Sequence, residues 1–126
     1  MKKFLIAVAA FVALFVTLFL VTVFKEYREV KALDRAPVPI SSVADGVYEG
    51  GAETTLVKAW VRVTVADGRI DNVEILEHQC GKGKPANVIV DDMARNNNVD
   101  VDAVAGATIS SEVIKAAVRD ALRNGL

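Results

Sequence analysis

Val57-Lys-Ala-Trp-Val-Arg-Val-Thr-Val-Ala-Asp-Gly-Arg-Ile-Asp-Asn-Val-Glu-Ile-Leu76 carries the strongest structural signal in the chain. Val57, Ala59, Val61, Val63 and Val65 alternate with Lys58, Trp60, Arg62 and Thr64. A period of two puts the apolar set on one face of a strand and the polar set on the other. Ala66-Asp67-Gly68 then turns the chain, and Arg69 to Leu76 returns with Ile70, Val73 and Ile75. An Asp-Gly pair between two such runs predicts an antiparallel hairpin, because both residues tolerate the positive φ that a tight hairpin turn requires. Trp60 falls on the face away from the valines. It either stacks under a helix or meets a ligand, and packing is the favoured reading.

Before the hairpin, Ala44-Asp45-Gly46 is a turn signal leading into Val47-Tyr48. Gly46, Gly50 and Gly51 surround a short strand and imply tight turns or a close backbone approach. No Gly-Lys-Ser or Gly-Lys-Thr follows them, so a phosphate loop of the nucleotide-binding type is not indicated. After the hairpin, Glu77-His-Gln-Cys-Gly-Lys-Gly-Lys84 reads as a polar loop. Pro85 suits the first position of a helix reaching about Asn96, with Ala86, Ile89, Val90 and Met93 on one face. Asn96-Asn97-Asn98 stops it. A last helix is predicted from Ser110 or Ser111 to Asn124, with Ile114, Ala117, Val118, Ala121 and Leu122 as its apolar stripe and Gly125 as its C-cap. The body is therefore α+β, a small antiparallel sheet with two helices packed on one face.

The N-terminal part belongs to a different solvent. Phe4 to Phe24 contains no charged residue, and Thr17 and Thr22 are its only hydroxyl-bearing side chains. At about 1.5 Å per residue this run matches the hydrocarbon thickness of a bilayer. It is apolar all round, unlike a core helix with one buried stripe, and longer than the apolar region of a cleaved signal peptide. The charged stop Lys25-Glu-Tyr-Arg-Glu-Val-Lys31 follows. Residues 1–24 thus read as a transmembrane signal anchor. Residues 25–43 read as a juxtamembrane helix extension followed by a tether containing Pro37, Pro39, Ser41 and Ser42. Residues 44–126 form the folded domain. Lysines and arginines flank the span on both sides, and the Met-Lys-Lys start points the C-terminal body to the extracytoplasmic side. From Ala36 onward 9 Lys plus Arg face 13 Asp plus Glu, an acidic balance that argues against nucleic acid as a partner. Cys80 is the single cysteine, which excludes an intramolecular disulfide.

The chemistry-bearing stretch is Val99-Asp-Val-Asp-Ala-Val-Ala-Gly-Ala-Thr-Ile-Ser-Ser-Glu-Val-Ile114. Ala105, Gly106 and Ala107 leave the backbone bare, so a bulky group can approach it. Thr108 presents a hydroxyl next to a helix start marked by Ser110, Ser111 and Glu112. The unpaired amides and partial positive charge of a helix N-terminus suit a phosphate. The bland alternative is a small-residue loop and an ordinary capped helix. Asp91, Asp92, Asp100 and Asp102 lack the regular spacing of a calcium loop, and no metal site is expected.

Taken in order, these segments resemble the family of small FMN-binding domains found in the C subunit of the sodium-pumping NADH:quinone oxidoreductase and the G subunit of Rnf complexes. The family motif runs Asp, two variable residues, Ser or Thr, Gly, Ala, Thr or Ser. Asp102, Gly106, Ala107 and Thr108 match it, and Ala105 replaces the usual hydroxyl residue. Asp45 to Gly50 is similar to the opening strand of such domains, and His78 to Lys84 to their His-x-x-Gly-x-Gly segment.

The resemblance implies FMN joined by a phosphoester to Thr108, attached by a separate flavin transferase that uses FAD and a divalent metal. It places Asp102, Ala105, Gly106, Ala107, Ser110 and Ser111 around the cofactor, with His78 near the flavin ring. It implies a membrane-anchored electron carrier rather than an independent enzyme, working with redox partner proteins or a membrane electron-transport complex. The alternative is a non-covalent flavin-binding or interaction subunit, with Trp60 and the His78 segment meeting a ligand or partner. A purely structural membrane subunit would leave Thr108 unmodified.

Overall fold

The computed structural model describes residues 1–33, 35–79 and 87–126. Helix α1 runs without interruption from Lys2 to Ala32, so the charged segment after Phe24 prolongs the apolar helix by two turns. Among the described residues it is the one helix long and apolar enough to cross a membrane. Three strands follow, β1 (Gly46–Glu53), β2 (Lys58–Ala66) and β3 (Arg69–Gln79), in an antiparallel sheet of order β1-β2-β3. Helices α2 (Ile89–Asn96) and α3 (Thr108–Arg123) complete the domain. Helix α3 lies across β1 and β2, and α2 lies on β3.

The predicted hairpin is present. Asp67 and Gly68 both have positive φ, 54° and 72°, as a two-residue turn of this hand requires. Ala59, Val61, Val63 and Val65 are buried against Ile89, Met93, Val113, Ile114, Val118 and Leu122, which forms the core. The expected stripe of α3 is buried along its full length. Asn97 closes α2 in a left-handed conformation (φ 49°), and its side-chain oxygen accepts the Ile70 amide at 2.8 Å. A start of this helix at Pro85 lies outside the described residues. Gly125 is not a left-handed cap; α3 ends at Asn124, and a Cβ on Gly125 would come 2.5 Å from the Tyr48 ring.

Two register shifts separate the hairpin from an ideal ladder. Trp60 pairs with Glu77 but Val61 pairs with Ile75, and Thr64 pairs with Asn72 but Val65 pairs with Ile70. Each shift inserts one residue into β3 and reverses which side chains face the helices. The second explains why Ile70 and Val73, three apart, are both buried. The first carries β3 past Leu76 to Gln79 and places His78 opposite Ala59, on the helix-covered face. Glu77 to Gln79 are therefore strand, not loop.

Residues 35–45, which lead into β1, are not a free tether. Val43 is part of the core, Leu33, Val38 and Ile40 pack against it, and Ile40 to Ser42 form a single 3₁₀ turn. The Ala44 amide donates to the Gly125 carbonyl at 3.0 Å.

Helix α3 approaches β1 backbone to backbone at Gly50. A Cβ there would lie 2.2 Å from the Ala121 amide nitrogen and 2.7 Å from the Ala117 carbonyl oxygen. Gly50→Ala is expected to destabilise the domain by about 1–3 kcal/mol, the usual cost of overpacking, through forced separation of α3 from β1. Thermal unfolding of the full chain in detergent measures it, and an unchanged midpoint would contradict this packing.

Candidate functional site

The sheet has two distinct ends. Gly125, at the end of α3, lies against Tyr48 and Val43, and Ala117 to Ala121 lie against Gly50. Helix α3 therefore runs against β1, and its first turn points to the Glu53 end of that strand. Helix α2 runs the same way relative to the sheet. Asn87, just before it, contacts His78 near the end of β3, and Asn97, just after it, contacts Ile70 near the start. Both helix N-termini, with their partial positive charge, thus share one end of the sheet with His78.

At that end the motif loop has a defined construction. The N-cap of α3 is Ala107 (φ −133°, ψ 37°), and no side chain caps the helix. The helix begins at Thr108, two or three residues before the predicted start. The reason is Ser111: its hydroxyl is spent backwards, donating to the Ala107 carbonyl at 2.8 Å and accepting the Val104 amide at 3.1 Å. The first main-chain bond of the helix runs from the Ser111 amide to the Ala107 carbonyl at 2.9 Å. Thr108, Ile109 and Ser110 keep the amides that every helix start leaves without an intrahelical acceptor. Gly106 takes a positive φ of 80°, and a Cβ there would meet nothing within 4 Å. Gly106 therefore supplies the backbone conformation, and open space lies over it.

Exposure separates the candidate residues. Asp102, Ala105, Gly106 and Thr108 are exposed, whereas Ala107, Ser110 and Ser111 are buried. Thr108 is thus the accessible hydroxyl of the stretch. His78 is half-buried; its Nδ1 lies 2.5 Å from Asn87 Oδ1, and its buried Nε2 has no hydrogen-bond partner. Among the described residues it is the one buried side-chain polar atom in that condition. Cys80, Lys82 and Lys84 lie outside the described residues. Asp100 pairs with the buried Arg119, and Asp92 with Arg95 at 3.0 Å. Trp60 is not under a helix. It covers the Gly51 backbone on the open face of the sheet, in a groove of about 520 Å³ shared with Glu53, Lys58 and Glu77.

The model of the FMN-binding domain matches residues 57–123, from the start of the hairpin to the end of α3. The chain belongs to the FMN-binding domain family. A search of curated proteins finds no match. The matched span contains the motif loop, His78 and both helices. The residues fit the phosphate end of FMN: an uncapped helix start, open space over Gly106 and an exposed hydroxyl-bearing residue at 108.

Asn87, the partner of His78, and the loop-bracing role of Ser111 were not apparent in the sequence. The bulge at Leu76 conceals the first, and a serine near a helix start ordinarily suggests a cap. Ser111→Ala would leave the Val104 amide unpaired beside a fully buried position. It is expected to cost about 1–3 kcal/mol of stability and to accelerate amide exchange at Val104. Hydrogen-exchange mass spectrometry reads both, and unchanged protection across Val104 to Ala107 would contradict the brace.

Proposed function

We propose that this FMN-binding protein carries its flavin as a phosphoester on Thr108 and works as a membrane-anchored electron carrier. The observation that carries the reading is the exposure of Thr108 at the uncapped start of α3, between the buried Ala107 and Ser110. An incoming phosphoryl group would find there a reachable Oγ, open space over Gly106 and amides without intrahelical acceptors.

Attachment follows from the chemistry of the donor. A flavin transferase presents FAD; the Thr108 oxygen bonds to the phosphorus of the FMN half, the P–O bond to the AMP half breaks, and AMP leaves. The hydroxyl proton passes to a base. A threonine hydroxyl is a weak nucleophile without activation, so that base and the divalent metal come from the transferase. Once linked, the phosphodiester keeps one negative charge at the helix start, where the N-terminal dipole stabilises it.

Bound FMN supplies redox chemistry at its ring, and the protein tethers and orients it. Asp102 is the acidic position of the attachment motif, and Gly106 and Ala107 shape the approach. Ser110 and Ser111 act from within the first turn, Ser111 by holding the loop. His78, with its unpaired Nε2, is the side chain proposed to meet the ring system. Helix α1 anchors the protein in the cytoplasmic membrane with the domain on the extracytoplasmic side, where the transferase and the redox partners also lie. Covalent attachment there prevents loss of the cofactor by diffusion.

The test is co-expression of the full chain with an exported flavin transferase, followed by a denaturing gel viewed for flavin fluorescence. The wild-type band and a Thr108→Ser variant are expected to fluoresce, and Thr108→Ala to be dark. A dark wild-type band, from cells in which a known acceptor is labelled, would overturn the covalent reading and leave non-covalent FMN binding in its place.

A further inference from the structure

The end of α1 is bonded to the sheet. Glu26 is 2% exposed; its Oε2 accepts the Leu56 amide at 3.0 Å, and its Oε1 accepts the Thr54 hydroxyl. One turn further, Glu29 Oε2 accepts the Thr55 amide at 2.5 Å. Two carboxylates three residues apart on one helix face therefore hold the whole turn between β1 and β2.

Position along α1 gives this turn a depth. The apolar run ends at Phe24, and Glu26 stands two residues later, about 3 Å along the helix axis. The polar headgroup layer adds roughly 5–7 Å to each side of the hydrocarbon core. A turn bonded at Glu26 lies within that layer whenever α1 crosses a bilayer. The side chains agree with such a level. Leu56 is 55% exposed at the tip, and Tyr27 is 54% exposed on α1. Arg28 lies over the Phe24 ring at 5.8 Å, and Lys31 over the Tyr27 ring at 4.7 Å. Aromatic and long basic side chains are the usual residents of the membrane–water interface.

We propose that the β1–β2 turn, latched to α1 by Glu26 and Glu29, is a lipid-contact element that seats Leu56 in the phospholipid headgroup layer. The inference rests on α1 crossing the membrane as proposed above. Lipid is the occupant because the span itself sets the depth of the turn. The contact also orients the domain. The turn follows Glu53 directly, and the start of α3 points to the same end of the sheet, so the Thr108 end is held toward the bilayer surface.

The experiment uses the full chain in a Cys80→Ser background, with single cysteines replacing Leu14, Leu56 or Asp67. Each carries an environment-sensitive fluorophore and is reconstituted in phosphatidylcholine nanodiscs containing lipids with a nitroxide at a shallow or a deep position. The Leu14 site is expected to lose fluorescence chiefly to the deep quencher and the Leu56 site chiefly to the shallow one. The Asp67 site, at the opposite end of the sheet, should keep its signal. Glu26→Ala with Glu29→Ala should bring the Leu56 site toward the Asp67 level while leaving the Leu14 site unchanged. Quenching at Leu14 with none at Leu56 would overturn the lipid contact alone. No quenching at Leu14 would overturn both the span and the contact. Full quenching at Leu56 in the double variant would overturn the latch.

Discussion

The contact between α3 and β1 at Gly50 fixes the geometry of the functional end. Because no side chain separates the Gly50 backbone from Ala117 and Ala121, the helix sits at one height and one rotation on the sheet. Its apolar stripe then buries Ile114, Val118 and Leu122 against the valines of β2, each worth about 1.5–3 kcal/mol of transfer free energy. With the helix held there, its first turn projects at the Glu53 end of β1. Thr108, nine residues before Ala117 and thirteen before Ala121, reaches solvent as a consequence of packing elsewhere.

The same constraint brings unlike groups together. The starts of α2 and α3, the buried His78 nitrogen and the β1–β2 turn all lie at one end of a three-stranded sheet, and the end of α1 is bonded there as well. Two partial positive charges face an end where an anionic cofactor is proposed. Among the described residues, the opposite end, with the Asp67-Gly68 turn, has neither an α-helix N-terminus nor an unpartnered buried polar side chain. A small domain with one decorated end suits a protein whose cofactor must meet something on one side only.

Much of this was legible in the sequence because it depends on local periodicity. The valine alternation of β2, the Asp-Gly turn and the stripe of α3 each follow from one side-chain period, and each is present in the structure. What sequence reading lost depends on events that break a period. The extra residue at Leu76 reverses the parity of β3, so His78 reads as loop but lies on the inner face of a strand opposite Ala59. Ser110 and Ser111 mark a helix start only approximately, because Ser111 turns its hydroxyl back to Val104 and Ala107 instead of capping. The bonds from Glu26 and Glu29 to residues 54–56 join positions far apart in the chain. No local pattern reports them. The proline-containing segment after α1 reads as a tether, yet its apolar residues Val38, Ile40 and Val43 are drawn into the core.

The central claim is that Thr108, and no neighbouring hydroxyl, bears the flavin. Trypsin cuts after Arg95 and Lys115, releasing Asn96 to Lys115 with Thr108, Ser110 and Ser111 as its hydroxyl residues. Tandem mass spectrometry of that peptide, from protein produced with an active flavin transferase, tests the claim most directly. The expected result is a mass gain of FMN less water that fragmentation assigns to Thr108. An unmodified peptide, or the same gain on Ser110 or Ser111, would contradict it.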